Sequence, residues 1–83
     1  MVNFNKYPIS DNIKETLDRY IINKIEPGSF LRAVLENDLY TALANADLEN
    51  KYAIYNICNY IVNTLPTNCY GSLEIVKNWL RKK

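Results

Sequence analysis

The residues best suited to do chemistry in this chain are two Gly-Ser pairs, Gly28-Ser29 and Gly71-Ser72, each of which opens an apolar, helix-like segment. They contain both of its glycines. A helix start presents backbone N–H groups that have no helical acceptor, together with the positive end of the macrodipole. A small, hydroxyl-bearing start can therefore cap the helix or hold an anion such as a phosphate. Ser is among the commonest caps, so capping alone is the simpler reading of each pair. The pairs form one anion site only if both helix starts face a single cavity, within one chain or across a subunit boundary.

Other candidates lie nearby. Phe30 follows the first pair, and Arg32 falls in the first turn after Ser29, where a cation opposes the helix dipole. Such a placement suits a residue that serves an anionic ligand or an acidic partner, and a solvated arginine on the outer face is the plainer account. Asn37-Asp38 can hydrogen-bond a base or a ribose, or can cap a fresh helix. Tyr70, a loop aromatic beside Gly71-Ser72, is placed to stack on whatever that start holds. The chain has seven tyrosines. Its many Asn, Ile and Lys residues point to a coding bias that accounts for most of them.

The residues that are missing exclude much. With no histidine and only two cysteines, Cys58 and Cys69, neither a zinc site nor a Cys-His or Ser-His-Asp constellation can be assembled. Asp11, Glu15 and Asp18 alternate with Lys14 and Arg19 and read as a salt-bridged surface, not as paired catalytic carboxylates. The expectation is a protein without catalysis, metal or cofactor. A net charge of +1 gives no broad field for nucleic acid. The only basic run, Arg81-Lys82-Lys83, complements a helix C-terminus. No apolar stretch approaches the roughly twenty residues of a membrane span. The cysteine usage suits a reducing cytosol, with Cys58 read as a core thiol and Cys69 as a loop thiol.

These residues need elements to hold them. Eighty-three residues make one small domain, in which pairing of two chains would add both stability and a concave site. Residues 1 to 9 read as an extended arm ending near Pro8. Ser10 or Asp11 caps a helix over 11–24 that carries Ile13, Leu17, Tyr20 and Ile21 on one face. After the Pro27-Gly28 turn, residues 29–45 form one helix or two, with the break at Asn37. Asp47 starts the longest helix, where Leu48, Tyr52, Tyr55, Cys58, Ile61, Val62 and Leu65 recur at helical spacing and Pro66 ends the run. That helix is either central in the bundle or half of a subunit interface. Residues 67–71 read as a loop, and Ser72 caps a last helix with Leu73, Val76 and Leu80 inward and Ile75 and Trp79 adjacent. The fold class is all-α: a small bundle of four to five short helices in a single domain.

One pattern runs through these elements: Pro27-Gly28-Ser29-Phe30-Leu31, Ala33-Val34-Leu35, Asn37-Asp38-Leu39, Ala46-Asp47, Asn50, Tyr60, Pro66, Cys69, Gly71-Ser72, Val76 and Trp79. It resembles a group of short proteins encoded by bacteriophages and prophages, over roughly residues 20 to 80. The resemblance implies a cytoplasmic accessory factor in a bacterial host, one that disarms host defence by binding a host protein or sequestering an anionic nucleotide signal. On that reading the expected protein is a non-catalytic homo-oligomer, with Gly28, Ser29, Gly71 and Ser72 donating to phosphates, Arg32 neutralising charge and Tyr70 stacking. The alternative expectation is a protein-interaction module docking through the faces around Phe30, Tyr40, Tyr55 and Trp79.

Overall fold

In the computed structural model the described residues are 9–82, so the expected arm, apart from Ile9, lies outside them, as does Lys83. Five α-helices follow one another with no strand among the described residues. The fold is the expected small all-α bundle, about 35 × 27 × 20 Å.

Helix α1, Asp11–Asn23, starts where the Ser10 hydroxyl accepts the Ile13 N–H at 3.3 Å. It buries Ile13, Leu17 and Tyr20 and stops at Lys24, which takes a left-handed conformation (φ 57°), so that the Ile25 N–H donates to the Arg19 carbonyl at 3.3 Å. The next stretch is two helices, α2 (Ser29–Leu35) and α3 (Leu39–Asn45). Asn37 makes the break. It sits at φ 63°, in the left-handed region that asparagine tolerates better than most residues. The N–H groups of Asn37 and Asp38 fold back onto the carbonyls of Val34 (3.1 Å) and Ala33 (2.9 Å), the paired bonds of a left-handed helix stop. The Asp38 carboxylate then accepts the Thr41 N–H at 3.2 Å, so a single dipeptide ends one helix and caps the next.

Helix α4, Leu48–Thr64, begins with Asp47 accepting the Asn50 N–H at 2.8 Å. Its end follows from Pro66, which biases Leu65 to the extended conformation it adopts (φ −84°, ψ 150°). The apolar positions of α4 do not form one buried face. Ile57 and Ile61 are buried, with Leu65 just beyond the helix, while Leu48, Tyr52, Tyr55 and Val62 face outward. Residues Thr67–Cys69, expected as loop, form one 3-10 turn. In α5, Leu73–Arg81, the Ser72 hydroxyl caps the Ile75 N–H at 3.2 Å. Its inward face is Val76 and Trp79, and Leu73, expected inside, is exposed.

Three side chains tie α1 and its stop to the 3-10 turn and α5. The buried Tyr20 hydroxyl donates to the Cys69 carbonyl at 2.6 Å, and the Trp79 indole N–H donates to the Tyr20 carbonyl at 3.0 Å. The two rings lie 6.4 Å apart, and the Lys24 ammonium covers the Trp79 face at 3.7 Å. This arrangement reverses the reading of the cysteines. Cys69 is the fully buried thiol, drawn under α1 by Tyr20, and its S–H donates to the Pro66 carbonyl at 3.1 Å. Cys58 is only half-buried.

Candidate functional site

A concavity lies where the end of α2, the middle of α4 and the segment before α5 meet. It is a groove of about 290 Å³ lined by Val34, Leu35, Asn37, Cys58, Ile61, Val62, Tyr70 and Gly71. The α2 stop turns Asn37 to its rim, while α4 supplies Cys58, Ile61 and Val62 from successive turns of one side. A single backbone bond holds the third wall: the Gly71 N–H donates to the Leu35 carbonyl at 2.7 Å. That bond satisfies a carbonyl at the C-terminal end of α2, a group that no intrahelical donor reaches.

Three of the nine residues singled out from sequence, Asn37, Tyr70 and Gly71, thus converge on one groove. The others lie elsewhere. Gly28, Ser29 and Phe30 line a separate, shallower cavity of about 210 Å³, bordered by Asn12, Thr16 and Asn50. Asp38 and Asn37 border a small recess of about 50 Å³ with Leu39, Ala42 and Cys58. The two Gly-Ser starts therefore open onto different cavities of the chain. They also differ in role: Gly28 is itself the cap residue of α2 (φ 93°, ψ 164°), no side chain among the described residues caps that start, and Ser29 is the first helical residue. Phe30 belongs to the core.

Arg32 has local partners. Its guanidinium meets Glu36 at 2.7 Å and Glu26 at 3.0 Å, and the hydrogen bond to Glu36, opposed by burial and aided by Glu26, raises its pKa further. The seemingly unfavourable position near the start of α2 thus lets one cation hold the preceding loop and the last turn of the helix together. Its charge is already balanced.

The groove's chemistry is that of an apolar slot with few polar groups: the Asn37 amide, the half-buried Tyr70 phenol and the Cys58 thiol. Burial raises the Cys58 pKa, so this thiol is protonated near neutral pH. No lysine or arginine lines the groove among the described residues. Nor do those residues include a cluster of three or more groups able to hold a metal ion. Such a slot accepts a flat ring with a hydrogen-bonding edge better than it accepts an isolated anion. Sequence reasoning missed the α4 wall, although Cys58 and Val62 stand one turn apart and flank the buried Ile61, a spacing that marks one helical side. Comparison with protein-family models, curated proteins and solved structures finds no match to this chain.

Proposed function

We propose that the protein is a non-catalytic binder of a nucleotide-like signal, a phage accessory factor that withholds the signal from a bacterial host's defence. The observation that carries this reading is the convergence of Asn37, Tyr70 and Gly71 on an apolar groove. At about 290 Å³ the groove is near the lower end of small-ligand pockets, roughly 300–1,000 Å³, so it suits the base of a nucleotide and leaves the phosphates at its mouth. Asn37 offers a donor and an acceptor to the base edge, and Tyr70 a ring to its face. The phosphates lie toward the start of α5, where Leu73 and Glu74, as its first residues, have amides with no acceptor inside the helix. Arg32, paired with two glutamates, is not assigned to the ligand.

Cys58 provides the test. It lines the groove, whereas Cys69 is fully buried, so N-ethylmaleimide on the folded protein reads occupancy at one residue. A panel of cyclic di- and trinucleotides, ADP-ribose isomers and NAD is screened for slower Cys58 alkylation together with a raised melting temperature. A ligand that does both is expected, and Asn37→Gly, which keeps the left-handed turn but removes the amide, is expected to weaken it about tenfold or more. A panel that leaves both readouts unchanged defeats the proposal. The protein-docking alternative has lost Phe30 and Trp79, both core residues, and keeps Tyr40 and Tyr55, which are exposed.

A further inference from the structure

The outer face of α4 has a pattern of which the groove uses only Val62. Leu48, Tyr52, Tyr55, Asn59 and Val62 follow at steps of four, three, four and three residues, the spacing of a helix-pairing seam. Apart from the half-buried Asn59 they are strongly exposed: Leu48 69%, Tyr52 82%, Tyr55 73% and Val62 61%. We infer that this stripe is a self-association surface, along which α4 pairs with α4 of a second copy of the chain.

The area fits. A buried aromatic side chain removes about 150–250 Å² from water, so two tyrosines this exposed, with a leucine and a valine, offer roughly 500 Å² before their polar neighbours are counted. The smallest stable interfaces need about 600 Å² from each partner, which the stripe reaches once those polar neighbours are added. The chemistry favours an identical partner. A two-fold axis sets the same stripe against itself, and α4 carries no charged residue after Lys51 for its own image to repel. Asn59 supplies the only amide in the seam, beside the two tyrosine hydroxyls. An apolar partner would leave its amide unmatched, whereas the partner's Asn59 can answer it, as polar seam residues do when they fix register. Val62 also lines the groove, so pairing places the second copy beside the groove's α4 wall.

This inference rests on the face of α4 and not on the ligand reading, which Cys58 protection tests separately. Sedimentation velocity of the full chain through roughly the micromolar range decides it. Twice the mass of one chain is expected, with Tyr52→Glu and Tyr55→Glu each monomeric and unchanged in far-UV circular dichroism. Tyr40→Glu, at an equally exposed tyrosine on α3, is expected to remain paired. Should the glutamates disturb the helix, Tyr55→Ser removes the ring without adding charge and is again expected to dissociate the pair. A wild-type chain that stays monomeric throughout overturns the inference. So does an association that the α4 variants leave intact, or one that Tyr40→Glu abolishes equally.

Discussion

At the scale of single residues, Tyr20 is the side chain on which most depends. Its ring is fully buried and its hydroxyl holds the Cys69 carbonyl. Tyr20→Phe leaves that acceptor buried without its donor, and we expect a loss of about 1–3 kcal/mol in urea-unfolding free energy. Burial, with smaller contributions from Cys69 and Glu36, also lifts the phenol's pKa far above its ordinary value. A group raised in this way stabilises the fold fully below its unfolded pKa of about 10 and loses that contribution as pH climbs beyond it, because the unfolded chain ionises first. The wild-type melting temperature should therefore drop above about pH 10, and Tyr20→Phe should drop less steeply over the same interval. The half-buried Cys58 and the buried Cys69, whose pKa values are also raised, add a decline that begins lower and is common to both proteins. The place of Tyr20 on the inward face of α1 was legible in the sequence, but its bond was not, because Cys69 becomes a core thiol only through a tyrosine 49 positions away.

At the scale of helices, the sequence showed the starts and concealed the differences between them. Asp47 and Ser72 were readable as caps, and Ser10 as one of two candidates with Asp11, because capping depends on one side chain and an amide three residues on. The α2–α3 break was readable only as an alternative, since its choice depends on Asn37 accepting a left-handed conformation. The two Gly-Ser pairs looked equivalent and are not. At Gly28 an added Cβ would meet nothing within 4 Å, yet φ 93° with ψ 164° is a region reserved for glycine. Gly28→Ala should cost about 1–3 kcal/mol through the backbone alone. Ser29→Ala, which removes no cap, should stay within about 0.5 kcal/mol of wild type, whereas Ser72→Ala should lose about 0.5–2 kcal/mol. Chemical-denaturation midpoints of the three variants check the order. A Ser29 variant as damaging as the Ser72 one would contradict the difference between the two starts.

For the whole molecule, the balance of charge and the length of the helices already spoke against a nucleic-acid field, and no helix among the described residues is long and apolar enough to cross a membrane. The groove was only partly readable. Asn37 and Tyr70 drew notice as polar and aromatic loop residues, but their meeting with Cys58 requires three segments to close on one another, and no local pattern records that. The outer stripe of α4 was visible as excess apolar character, and the structure identifies which of its residues the core leaves over. The bond from the Gly71 N–H to the Leu35 carbonyl adds a kinetic consequence. It fastens two walls of the groove across 36 positions of chain without belonging to any helix, so those two walls part only when this bond opens. Hydrogen–deuterium exchange at Gly71 therefore measures how often these two walls part. We expect that amide to exchange slowly despite its place in a connecting segment, and more slowly still once the groove is filled. In a chain with two glycines, one backbone signal becomes a clock for opening and closing.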